Sequence, residues 1–201
     1  MGNSSNTLYP VFLKMEQLQL LLVGAGNVAL EKLESLLRNT PHASITIVAP
    51  LVKDELRVYI KNYPGCVLLE RAYEESDLQN KQLVICATDD KELHKKIKQQ
   101  ANAAGILVNV ADTPELCDFY LGSIVQKGNL KIAISTNGKS PTIAKRVKEL
   151  LNQTFPDEID ELLHNMQQVR NKLSGDFAEK VKQLNELTKS LINKQNDRQQ
   201  Q

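Results

Sequence analysis

The chain has 201 residues, with 25 Lys and Arg against 24 Asp and Glu and a formal charge of +1. That balance argues against a general nucleic-acid binder, which is normally clearly basic, and an aromatic share of 4% with no Trp gives no row of base-stacking rings. An apolar share of 41% supports a true core, in one large domain or one domain with an appendage.

The N-terminal "MGNSSNTLYP" lacks the apolar core of a signal peptide, and no apolar run is long enough to span a bilayer. Position 6 is Asn, so the myristoylation pattern is missed as well. A cytoplasmic protein without a membrane partner is expected. Cys66, Cys86 and Cys117 are scattered with no CxxC, as expected of reduced, buried thiols.

In chain order, "QLQLLLVGAG" (17–26) reads as a buried strand entering a glycine turn. "NVALEKLESLLRN" (27–39) has helical apolar spacing at Val28, Leu33, Leu36 and Leu37. "SITIVAP" (44–50) is a β-branched strand stopped by Pro50, "LVKDELRVYIKN" (51–62) an amphipathic helix, and "CVLLERAY" (66–73) a short strand. "QLVICATDD" (82–90) is a further buried strand ending in Thr and two acids. "KELHKKIKQQANAAG" (91–105) is a helix closed by Gly105, and "ILVNVAD" (106–112) the next strand. Strands this apolar, alternating with helices, predict a parallel α/β sheet covered on both faces.

The rhythm then changes. "FYLGSIVQKGNLKIAIST" (119–136) predicts a hairpin turning at Lys127-Gly128-Asn129. Its apolar face suits a subunit interface. "SPTIAKRVKELLNQTF" (140–155) opens a helix with Ser140 as N-cap and Pro141 at the first helical position. Two further amphipathic helices follow Pro156, and "NKQNDRQQQ" is expected to fray.

The spacing Gly24-x-Gly26-x-x-Ala29 falls at the first strand-to-helix junction. There Gly24 makes the tight turn, Gly26 lets backbone approach a pyrophosphate, and Ala29 lets helix pack on strand. The helix start adds N–H groups and a positive dipole end. The bland alternative is a glycine turn kept for packing. The second strand ends in Val48-Ala49-Pro50-Leu51, with no acid for a ribose 2′-OH. Backbone there can hold the ribose, and Lys53 leaves a 2′-phosphate open, so NAD and NADP are not separated.

Ligands of such sheets lie beyond the carboxyl ends of the strands. Thr88 stands there to pack against a dinucleotide, while Asp89 and Asp90 suit capping of the next helix. Asp112 is open between an Asx turn before Thr113-Pro114 and a reacting carboxylate. Asp118, past Pro114, reads as structural or interfacial. "STNGKSPTIAKRVK" sets Ser135, Thr136 and Asn137 beside Lys139, Lys145, Arg146 and Lys148, either a receptor for an anionic substrate or a solvated helix face. His42, His94 and His164 lack metal-ligand spacing and read as surface or structural, so no metal site is expected.

The stretches "YPVFLKMEQLQLLLVGAGNVALEKLESLL", "VICATDDKELHKKI" and "VNVADTPELCDFYLGSIVQKGNLKIAISTNGKSPTIAKRVKELL" resemble the precorrin-2 dehydrogenases, the sirohydrochlorin-forming module of sirohaem synthases. The likeness runs from about Tyr9 to about Leu191. It implies a Rossmann-like NAD-binding domain over 1–113, a β-hairpin dimerisation region with a substrate loop over 114–146, and a small helical C-terminal domain over 147–201, assembled as a homodimer. It implies NAD-dependent oxidation of precorrin-2 to sirohydrochlorin, with Fe²⁺ insertion in some members. It carries the catalytic aspartate onto Asp112, and cofactor contacts onto Asn27, Val28, Pro50 and Leu51. A serine phosphorylated in fused enzymes corresponds to Thr136, which leaves regulation there open. The basic rim of Lys139, Lys145 and Arg146 agrees with a substrate bearing eight carboxylates. The reading from another class is a regulatory NAD(H)-sensing module that binds without turnover, and a third is a tetrapyrrole or metal carrier.

Overall fold

A computed structural model of the chain describes residues 5–173 and 177–193. The stretch from 194 onward, expected to fray, lies outside them. Two compact units divide between Leu121 and Gly122.

In the first unit, β1 (Gln19–Val23), β2 (Ser44–Val48), β3 (Cys66–Leu69), β4 (Leu83–Cys86) and β5 (Leu107–Val110) form one sheet in the order β3-β2-β1-β4-β5. Every pair is parallel. The helices are α1 (Asn27–Asn39), α2 (Asp54–Ile60) and α3 (Lys91–Ala103). Successive strand residues point to opposite faces, and the core divides accordingly. Leu20, Leu22, Ile45, Ile47 and Ile85 pack with Ala29, Leu33 and Leu37 of α1 and Leu56 of α2. Leu21, Val23, Val84, Cys86 and Val108 pack with Ile97 and Ala101 of α3. Full burial of each Leu, Ile or Val among them stabilises by about 1.5–3 kcal/mol. The expected α/β class therefore stands, wound on both faces.

Element ends differ where local chemistry intervenes. The second helix begins only at Asp54, because Lys53 is extended and fills the N-cap position. The third strand stops at Leu69, and Arg71 beyond it holds Asp77 in a two-pronged pair of 2.9 and 2.6 Å. Gly105 adopts φ 70° just past α3, as a C-terminal glycine should. Cys86 is buried, while Cys66 and Cys117 are only half-buried, so the expectation of three buried thiols is met fully at one. All three are free, and burial pushes each thiol up, Cys86 to about 12.

In the second unit, β6 (Ser123–Lys127) and β7 (Leu130–Ile134) form an antiparallel hairpin. Lys127 pairs with Leu130, so the turn is the two residues Gly128-Asn129, with Gly128 at φ 54°. Three helices follow: α4 (Pro141–Thr154), α5 (Ile159–Lys172) and α6 (Phe177–Asn193). Ser140 caps α4, its hydroxyl accepting from the Ile143 N–H at 3.2 Å. Asp160 of α5 accepts from the Asn129 backbone and side chain at 2.6 and 2.8 Å, and Asp157 pairs with Lys127. The hairpin turn is thus tied to α5.

Asp77 offers a stability test. Its side chain is 5% exposed. Burial alone would raise its pKa, but the Arg71 guanidinium and the Glu74 N–H outweigh that and hold it below the usual value. Asp77→Asn should lower unfolding free energy by about 1–2 kcal/mol at neutral pH, discounted because Arg71 is partly solvated. A depressed carboxyl contributes its stability above the unfolded value of about 3.9 and loses it as pH falls through the folded value. The gap between wild type and variant in urea denaturation should therefore close at acid pH. A gap that persists there contradicts the assignment.

Candidate cofactor-binding site

The parallel ladder continues one residue past β1, β2, β4 and β5, with Ala49 N–H on Leu69 O at 3.2 Å beyond β2. The Gly24 N–H bonds Val48 O at 2.9 Å, Ala87 N–H bonds Val23 O at 2.8 Å, and Ala111 N–H bonds Cys86 O at 2.9 Å. Four loops therefore leave the sheet at one level, and the strand order reverses between β1 and β4, where such sheets bind ligands.

Gly24 has φ 108°, a region closed to most side chains. A Cβ there would meet the Ala87 carbonyl, its carbon at 2.7 Å, and Thr88 Cγ2 at 2.9 Å. Gly26 differs. Nothing lies within 4 Å of its Cβ direction, and the residue is exposed. Gly24 is therefore required by the fold, whereas Gly26 faces open space that a ligand can use. Gly26 also stands at the N-cap of α1 and offers no side-chain cap. The first N–H groups of α1 therefore lack a side-chain cap, and an anion is favoured at such a helix start. This combination fits the pyrophosphate of a dinucleotide.

The neighbouring loop is fastened to the turn. Lys53 N–H donates to Ala25 O at 3.0 Å, and Lys53 Nζ donates to Asn27 Oδ1 at 2.6 Å. Glu55 also pairs with Lys53 at 3.4 Å. Lys53 is thus engaged on two sides rather than presented to a 2′-phosphate. Val28, Pro50 and Leu51 are all exposed at this edge, Leu51 at 86%. Thr88 sits on the other side of Gly24, half-buried. Asp90 caps α3 through Leu93 N–H at 2.9 Å, as expected, and Asp89 is exposed.

Asp112 lies beyond β5 at φ 55° with its side chain exposed. Asp is among the few non-glycine residues that tolerate this region. Its turn is clamped from behind. Cys117 Sγ accepts from Val110 N–H at 3.2 Å, Asn109 Nδ2 donates to Phe119 O at 2.8 Å, and Asp118 accepts from Val108 N–H at 2.9 Å while pairing with Lys98 at 2.5 Å. Asp118 therefore has a structural role, one of the two readings, structural or interfacial, that the sequence leaves open. Asn109 and Cys117 are positioning groups that spacing alone does not identify, and the lone Asn inside an apolar strand is their visible signal.

In the second unit, the loop 135–140 bonds largely to itself. Thr136 Oγ1 donates to Ser140 O at 3.1 Å and accepts from Ser140 N–H at 3.3 Å, and Ser135 Oγ accepts from Asn137 N–H at 3.1 Å. Asn137 and Gly138 have φ 54° and 72°. Lys145 and Arg146 are exposed on α4, with Arg146 paired to Glu149 at 2.8 Å. Lys139 is exposed as well. Among the described residues no group of three His, Cys, Asp or Glu side chains forms a metal site, and no helix is long and apolar enough to cross a membrane.

Comparison with known proteins returns two families in tandem. One, described as "Putative NAD(P)-binding", matches residues 11–123. The other, described as "Sirohaem biosynthesis protein central", matches residues 127–154. The chain belongs to the first of these, the putative NAD(P)-binding family. Siroheme synthase of Psychrobacter arcticus is 36% identical over 174 residues, 87% of this chain and 30% of its own length. Siroheme synthase of Pseudoalteromonas atlantica is 38% identical over 175 residues, 87% of this chain and 35% of its own. The chain spans about a third of the length of these relatives. The solved structure of "SirC, precorrin-2 dehydrogenase" matches with a TM-score of 0.69 at 27% identity, over 90% of this chain and 89% of that one. The matched NAD(P)-binding region contains the whole five-stranded sheet and its carboxyl edge.

The two glycines should separate in experiment. Gly26→Ala should leave thermal stability within about 0.5 kcal/mol, the scale for an unconstrained surface change, yet weaken NADH binding by tenfold or more in a fluorescence titration. Gly24→Ala should lower stability by about 2 kcal/mol or more, through strain and a clash with backbone. Equal effects of both on folding would contradict the division.

Proposed function

We propose that the chain oxidises precorrin-2 to sirohydrochlorin with NAD⁺, as a cytoplasmic homodimer. One observation carries the reading: an open glycine turn and an exposed, conformationally fixed Asp112 share the carboxyl edge of one sheet. They stand two strands apart, roughly 10 Å by ordinary strand spacing, a span suited to a large flat substrate. The names of the relatives, siroheme synthase and precorrin-2 dehydrogenase, point to the same chemistry.

In this reading Gly24, Gly26, Asn27, Val28, Pro50, Leu51 and Thr88 hold the dinucleotide. When bound, the nicotinamide supplies a hydride acceptor at its C4. Oxidation removes a hydride and a proton, and Asp112 takes the proton or polarises a pyrrole nitrogen. The resulting conjugation helps drive the reaction, so one base suffices. Lys139, Lys145 and Arg146, with Ser135, Thr136 and Asn137, receive substrate carboxylates. NAD rather than NADP is favoured because Lys53 is occupied by Asn27 and Glu55. The hairpin serves as the dimerisation region within the proposed division at 113 and 146, and its apolar face supports that role.

The test is an anaerobic assay of precorrin-2 with NAD⁺ and NADP⁺ in parallel, followed at 340 nm, then given Fe²⁺. NADH should accumulate. Asp112→Ala should lower turnover by about 10²-fold, the scale of a positioned acid–base group, with NADH affinity unchanged. Cofactor binding without any oxidation would replace this reading with the NAD(H)-sensing module. Sirohaem formed faster than the spontaneous rate would extend it to metal insertion.

A further inference from the structure

The reading above leaves one buried polar side chain at this edge without a task. His94 lies on the inward face of α3 with Ile97 and Ala101 and is 3% exposed. Its Nε2 is 2.9 Å from Thr88 Oγ1. Its Nδ1 is buried and makes no hydrogen bond. Asp90 N–H also donates to Thr88 Oγ1, at 3.2 Å.

The unpaired nitrogen decides where the imidazole proton sits. Burial pushes the His94 pKa down, against the pull of Asp90, Asp89 and the Thr88 backbone, so the ring is neutral and carries one proton. A proton on Nδ1 would be a buried donor with no acceptor, an arrangement that folded proteins almost never retain. A bare lone pair there is tolerated more readily. The proton therefore sits on Nε2, which donates to Thr88. A threonine hydroxyl has two acceptor positions and one proton. His94 and Asp90 fill both acceptor positions. The Thr88 proton is then left to donate elsewhere, and Thr88 sits against Gly24 at the mouth of the glycine turn.

We propose that His94 is a positioning residue, which fixes the Thr88 hydroxyl as a donor to an acceptor oxygen of the bound dinucleotide. The inference rests on the cofactor reading above. It assigns Thr88 a direction as well as a place. Without the imidazole, the hydroxyl is free to turn its proton inward and present a lone pair to an acceptor that cannot use it.

The test compares His94→Gln with His94→Met in the full chain. The two side chains are similar in length, but only Gln can donate. NADH affinity is read by fluorescence titration, with thermal melts confirming the fold. His94→Met should weaken NADH binding about fivefold to tenfold, the scale of one misdirected hydrogen bond, and His94→Gln should stay within about twofold of wild type. Thr88→Val should weaken binding at least as much as His94→Met, and the double variant Thr88→Val/His94→Met no more than Thr88→Val alone. Nitrogen-15 shifts of the His94 ring in the unliganded wild type should report Nδ1 as the unprotonated nitrogen. Equal affinities for the Gln and Met variants, additive losses in the double variant, or a protonated Nδ1 would each overturn the proposal. If wild type binds neither NADH nor NADPH, the cofactor reading falls and takes this inference with it. If wild type binds and the variants match it, only the inference falls.

Discussion

The pairing of β1 with β4 at the centre of the sheet is the constraint on which the remainder depends. It joins the strand that enters the glycine turn to the strand whose end leads into Thr88. The Ala87 N–H bond to Val23 O extends that pairing one residue beyond β4. Because the ladder is parallel, every connection must cross to the other end of the sheet, and all the loops that follow strands collect at one edge. A register shift of one residue would invert the faces of β1, exposing Leu20 and Leu22 to the wrong layer.

That pairing also explains why the turn must be glycine. The backbone of Ala87 passes so close to Gly24 that no side chain fits between them. The tightness is not itself a ligand site. It frees the next glycine, Gly26, to face outward at the start of α1, and it brings Thr88 against the turn. The polar groups at this edge are held by partners, of which His94 and Asn109 are buried: Thr88 by His94, Asn27 by Lys53, and the Asp112 turn by Asn109, Cys117 and Asp118. Rigid support of this kind is what a site needs when a group must meet its target within a fraction of an ångström.

Much of this was legible from residue order. Apolar runs of strand length between helical periodicities gave the α/β class, and Gly105, Ser140 and Asp90 announced their helix ends through capping chemistry. Less visible was the late start of α2, because an extended Lys53 bonded to the glycine turn overrides a helical pattern that begins earlier. His94 carried a signal that spacing alone makes plain: positions 94, 97 and 101 share a helical face, so the histidine lies among core residues. Its partner could not be read, since Thr88 is reached only when the chain turns into α3. The loop at 135–140 offered N–H donors in sequence, and the fold uses several of them within the loop itself.

The sequence by itself determined the periodicities, the turn residues and the types of chemical group available, because these depend on backbone sterics and on side chains a few positions apart. Asp112 was open between turn and catalyst at that level. Only the tertiary structure shows the turn and its surroundings: Asp112 turns the chain at φ 55° and leaves its side chain exposed at the sheet edge that carries the glycine turn. The physical reason is distance along the chain. Gly24, Thr88 and Asp112 are separated by dozens of residues, and nothing local brings them together; the parallel hydrogen-bond ladder does.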